Sequence, residues 1–159
     1  MAPPAGAALK PNEMSEGGKQ MHDPNMVQDD IIRSFTCFTE WLDRYQYLID
    51  LGRKLPALGE DEKADDKLLP GCQSRVWLHL EGNREEIRIR ANSDAAIVSG
   101  LIALLIRVYS GCSARQVLET DPHFIRDIGL SEHLSSTRAN GLNAMLGAIQ
   151  GHARKLVSA

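Results

Sequence analysis

The chain has 159 residues, 43% of them hydrophobic and 25% charged, ordinary usage for a globular protein that argues against general disorder and against a membrane protein. Its 18 Lys and Arg face 21 Asp and Glu, a net charge of -3, so nothing draws it to a phosphate backbone and no nucleic-acid partner is expected. The cysteines Cys37, Cys72 and Cys112 are odd in number, widely spaced and without a Cys-x-x-Cys pair, which excludes a recognisable disulfide framework or zinc ribbon; free thiols suit a reducing cytoplasm.

Met1 to Met26 is rich in Pro, Gly, Ala and Met and reads as a disordered extension, followed by one domain over 27–159. Lys10, Asn12, Glu13, Glu16 and Lys19 interrupt any apolar run, so a secretory signal is not expected. The absence of Arg beside Glu13, Glu16 and Asp23 argues against an organelle transit peptide. From Val27 the spacing of Val27, Ile31, Phe35 and Phe38 predicts a helix that leaves Gln28, Asp29, Asp30 and Arg33 for solvent and places Cys37 near its packed face. Trp41, Tyr45, Leu48, Ile49 and Leu51 predict a second helix, ended by Gly52 or Pro56. Leu58 to Lys67 then reads as a solvated charged loop.

Leu69-Pro70-Gly71-Cys72-Gln73-Ser74 follows, and proline with glycine lets the backbone turn sharply just before a thiol, which places Cys72 at a loop tip. The period then becomes two. Val76, Leu78 and Leu80 alternate with Arg75, Trp77 and His79, and Ile87, Ile89 and Ala91 alternate with Glu86, Arg88 and Arg90 across turn residues Glu81 to Arg84, predicting an antiparallel hairpin. Two strands are marginal alone, so the hairpin must pack on helices and has room for a further strand that the sequence does not locate. His79 reads as a partly exposed strand residue, with a general base as the sharper alternative.

Ser93-Asp94 predicts the start of the most apolar helix, Ala95 to Val108, which belongs in the middle of a core and is shorter than the ~20 residues needed to cross a bilayer. Cys112 falls in a helix-to-helix connection ahead of a short helix with Val117 and Leu118. After Asp121-Pro122, the residues Phe124, Ile125, Ile128 and Leu130 predict a brief apolar turn or helix. The last helix is capped by Ser135 or Ser136, buries Leu142, Met145, Leu146 and Ile149, and runs to about His152. Arg138 stands in its first turn, where the helix dipole disfavours a cation and where a nearby anion would explain it.

Gly71-Cys72-Gln73-Ser74-Arg75-Val76-Trp77, Ser93-Asp94-Ala95-Ala96-Ile97-Val98, Gly100-Leu101-Ile102-Ala103 and His133-Leu134 with Ser136, Arg138, Gly141-Leu142 and Ala144-Met145 closely resemble the SufE family. The resemblance spans about Ile31 to Gln150. It implies an α+β fold of the SufE/NifU type, with a small antiparallel sheet packed against several helices. It also implies a sulfur carrier without independent turnover that needs no cofactor and no metal. The partners it implies are a pyridoxal-phosphate cysteine desulfurase of the SufS type and, downstream, a SufBCD-like iron–sulfur scaffold; no membrane partner is expected, and monomer and homodimer both remain open. By motif position Cys72 would accept the sulfur and stimulate the desulfurase, Arg138 would stabilise the thiolate or persulfide, and Gly71, Gln73, Ser74 and Asp94 are candidates for partner binding. A stand-alone cysteine hydrolase or thiol peroxidase is the alternative, with His79 and His133 the available bases in no recognisable motif. A metal or cluster scaffold is the other, for which the three cysteines form no evident ligand set.

Overall fold

The computed structural model describes residues 22–159. The expected extension lies outside the described residues as far as residue 21, but its end does not. His22 accepts from the Gln116 amide at 2.9 Å through its carbonyl and places Nε2 2.9 Å from the Val108 carbonyl. Helix α1 accordingly begins at Pro24 and runs to Thr36, three residues before the predicted start, because Asp23 caps the amides of Asn25 and Met26 and proline suits the first turn.

Ile31 and Phe35 of α1 are fully buried as their spacing predicts. Gln28, expected on the solvent face, is buried as well. Its side-chain amide donates to the Asp121 carbonyl at 3.0 Å and its oxygen accepts from the Phe124 amide at 3.0 Å, so a buried polar residue ties α1 to a distant turn. Cys37 is the residue after the helix and is exposed, not packed.

Helix α2 spans Trp41–Arg53. It crosses helix α3, Ala96–Tyr109, at a notch made by Gly52 and Gly100: a β-carbon on Gly100 would stand 2.2 Å from the Leu48 carbonyl oxygen, and one on Gly52 2.7 Å from the Ser99 β-carbon. Two backbones meet here because neither carries a side chain at the crossing. Helix α3 is the centre of the core, with Val98, Leu101, Ile102, Leu104, Leu105, Val108 and Tyr109 buried; burying such side chains contributes about 1.5–3 kcal/mol each.

Strands β1, Val76–Gly82, and β2, Ile87–Ser93, pair antiparallel from Val76 opposite Ser93 to Gly82 opposite Ile87. Gly82 has φ +98°, and a β-carbon there would lie 2.1 Å from the Glu86 carbonyl oxygen, so the turn requires glycine. A full third strand is absent among the described residues. In its place Leu68 bridges to Trp77 and the Leu69 amide donates to the Val76 carbonyl at 2.9 Å, so the approach to Cys72 is stitched to the edge of β1.

The charged loop is more structured than its composition suggests. It forms two 3-10 turns, Asp61–Lys63 and Asp65–Lys67, and Glu62 pairs with Arg90 of β2. That pairing, with the Gly59 amide, holds the Glu62 carboxyl below its usual range. The turns also cover the polar face of β1, which is why Trp77 is buried, with the Lys63 ammonium 5.6 Å from its ring centroid.

Helix α4, Ala114–Glu119, carries a capping box between Ser113 and Gln116. The apolar stretch after Pro122 divides into two single turns, α5 at Phe124–Asp127 and α6 at Leu130–His133. Helix α7, Ser136–Ser158, outruns the predicted end by six residues because nothing after His152 breaks a helix. Ser135 is its cap, accepting from the Arg138 amide at 3.3 Å. The architecture is the expected α+β, one small hairpin packed against several helices. Among the described residues no helix is long and apolar enough to cross a membrane.

Candidate functional site

The loop from Leu69 to Val76 is fixed at both ends. Its first end is the Leu69–Val76 backbone bond; its second is the Asp94 carboxylate, which accepts from the Arg75 amide at 3.2 Å. Asp94 therefore does not cap α3, which starts at Ala96, and Ser93 closes β2 while its hydroxyl accepts from the Ala95 amide at 3.1 Å. The turn itself uses Gly71 at φ +90°, a conformation that other residues avoid.

Cys72 is consequently half-buried, with its thiol folded inward toward α7. Its Sγ donates to the Gly141 carbonyl across 3.8 Å, and a β-carbon on Gly141 would lie 3.6 Å from that sulfur. The sulfur borders a cleft of about 20 Å³, room for about one water, whose apolar walls are Val76, Val98, Leu101, Leu142 and Met145. Gln73, Ser74, Thr137 and Arg138 line its mouth and, with Ser135, an open polar dish of about 480 Å³ outside it. Arg138, Leu142 and Met145 recur at spacings of four and three, so one face of α7 supplies both the wall and the cation.

Burial raises the pKa of the Cys72 thiol above its usual value. The expected lowering by Arg138 is therefore not what governs the resting conformation, in which the thiol stays protonated at neutral pH. Arg138 is half-buried at the cleft mouth and has no carboxylate partner among the described residues. An anion emerging from the cleft would meet an unneutralised cation.

The structure brings together Cys72, Gln73, Ser74 and Arg138 from the sequence-predicted set; Gly71 shapes the turn, and Asp94 holds the loop from below. Cys112 is fully buried, donates to the Val108 carbonyl at 3.4 Å, and has its pKa pushed up to about 12 by burial, which makes it an inert packing residue. No imidazole lines the cleft. His79 lies half-buried on β1 with Nε2 3.0 Å from the Glu62 carbonyl, and His133 stacks on Trp41 with ring centroids 3.8 Å apart. Among the described residues no three His, Cys, Asp or Glu side chains gather as a metal site.

The site thus lies in a hairpin-and-helix α+β domain that holds one half-buried thiol under a helix. The comparisons with known proteins agree in class: the family model for SufE, the Fe–S metabolism associated domain, matches residues 29–153. The chain is 41% identical over 130 residues to an uncharacterized SufE-like protein of Rhizobium meliloti, covering 79% of this chain and 93% of that one. It is 40% identical over 131 residues to another from Rhizobium etli, covering 79% and 88%. Among solved structures, a hypothetical protein from Thermus thermophilus superposes with a TM-score of 0.68 at 26% identity, covering 87% of this chain and all of that one. The chain belongs to the SufE family. Membership carries a general role as sulfur acceptor in iron–sulfur metabolism and interaction with a cysteine desulfurase.

Proposed function

We propose that Cys72 takes sulfur from the persulfide of a SufS-type cysteine desulfurase, thereby stimulating that enzyme, and passes it to a SufBCD-like scaffold in the cytoplasm. The reading rests on one observation: within the segment matched to the family, Cys72 borders a largely apolar cleft whose mouth carries Arg138, which has no carboxylate partner among the described residues. In the transfer, the Cys72 thiolate attacks the outer sulfur of the donor persulfide. A new S–S bond forms as the donor's S–S bond breaks, the donor cysteine leaves as thiolate, and the outer sulfur keeps its proton. No external oxidant or reductant is consumed.

Ionisation is the step that the resting cleft opposes, since burial holds the thiol protonated. Docking that draws the loop outward removes this penalty and brings the sulfur past Arg138, which favours its charged form. Retreat then places the persulfide away from competing thiols. The test is to mix the protein with desulfurase and cysteine and to map the added sulfur by peptide mass, expecting it on Cys72 and not on Cys37 or Cys112. A Cys72→Ser variant that still loads and still stimulates sulfide release would refute the proposal. Arg138→Ala should load several-fold more slowly, and unchanged loading would remove its role.

A further inference from the structure

We infer that Gly141 is the positioning residue that makes room for the second sulfur on Cys72. The inference rests on the reading of Cys72 as sulfur acceptor and adds the determinant that lets the loaded form fit. Glycine inside a helix is less favourable than alanine, which raises the question of what each one in α7 serves. Gly147 and Gly151 show no steric one, since a β-carbon at either meets nothing within 4 Å. At Gly141 the same carbon would stand 3.6 Å from Cys72 Sγ.

That distance is ordinary van der Waals contact, so the bare thiol would fit against alanine. The thiol alone does not demand glycine. A persulfide is different: its outer sulfur lies about 2.05 Å beyond Sγ and needs a place of its own. The cleft of about 20 Å³ beside Sγ is the space available, and Gly141 is one of its walls. In the loaded protein the outer S–H replaces Sγ–H as donor, and the Gly141 carbonyl, 3.8 Å from Sγ, is the acceptor facing the cleft. A methyl at 141 narrows that space and turns the second sulfur out toward the dish. Gly141 thus discriminates between the one-sulfur and two-sulfur states of the same cysteine.

The experiment loads Cys72 without any desulfurase, so that it stands apart from the carrier reading. In a Cys37→Ser background, the reduced protein is treated with sodium tetrasulfide, desalted and exposed to cyanide, and thiocyanate release is followed. Gly141→Ala should release its sulfur about tenfold faster than the parent, whereas its reduced thiol should react with iodoacetamide at nearly the parent rate. Gly147→Ala, with the same gain in helix propensity and no neighbour, should behave as the parent. Adding Val98→Ala to Gly141→Ala returns volume from another wall and should restore slow release, which a general loosening of the fold would not do. Release from Gly141→Ala at the parent rate, or a double variant that releases faster still, overturns the inference. Desulfurase loading that fails while tetrasulfide loading succeeds would count against the carrier reading and leave this one standing.

Discussion

Gly100→Ala tests how far the thiol's shelter depends on the core. The added β-carbon would stand 2.2 Å from the Leu48 carbonyl oxygen, 2.6 Å from its carbon and 2.8 Å from the Leu48 β-carbon. The first two are backbone atoms of α2, so no rotamer relieves the clash, and the helices must separate by roughly 1 Å in a core that tolerates overpacking at a cost of about 1–3 kcal/mol. Alanine's better helix propensity recovers about 1 kcal/mol of this. A clash with backbone at 2.2 Å falls at the upper end of that range, about 3 kcal/mol, so the net loss is about 2 kcal/mol and Tm falls by about 4–8 °C at roughly 2–4 °C per kcal/mol for a chain of this size. Val98 and Leu101 flank Gly100 and also wall the cleft, so the same displacement should hasten iodoacetamide reaction at Cys72. Thermal melts and timed alkylation measure both effects. A Tm equal to the parent's, with unchanged alkylation, would show that the notch is not tight and would refute the packing argument.

The pH dependence of Cys72 alkylation follows from its burial. Because the folded-state pKa is raised, the rate should reach half its plateau at a higher pH in the free protein than in an unfolded peptide of the same sequence. By the same sign, folding stability is fully present below the unfolded thiol pKa and is lost as pH rises through the folded one, with Cys112, at about 12, contributing more strongly than Cys72. Urea midpoints that stay constant from pH 8 to pH 11 would contradict both. Asp94→Ala removes the hydrogen bond to the Arg75 amide, worth about 0.5–1.5 kcal/mol, and should speed Cys72 alkylation. If Asp94 instead serves only in docking, desulfurase loading falls while alkylation in the free protein stays the same.

Local signals carried the fold well where one element decides its own shape. The hairpin was legible from a period of two and its turn residues, α7 from its serine cap, and α3 from an apolar run with no polar face. Contacts between distant residues were not. Gln28 looks like a surface residue because its partners, Asp121 and Phe124, lie 93 and 96 positions away. Ser93-Asp94 looks like a helix cap because that pattern is locally sufficient, yet the strand pairing claimed Ser93 and the cysteine loop claimed Asp94. Cys72 and Arg138 were legible through the turn chemistry, the helix dipole and the family resemblance. The cleft joining them was not, since its formation depends on a carbonyl 69 residues from the thiol.

The stitching of the cysteine loop to β1 sets a limit on the sulfur's travel. Cys72 is three residues from Leu69, whose amide is bonded to Val76, and a fully extended chain covers at most about 3.3–3.6 Å per residue. While that bond holds, the thiol sweeps an arc of roughly 10 Å, the motion of a hinged flap and not of a swinging arm. If Cys72 accepts sulfur as proposed, a donor would have to press its own sulfur close against the face of α7, and contact geometry, more than tether length, would decide which persulfides could be collected.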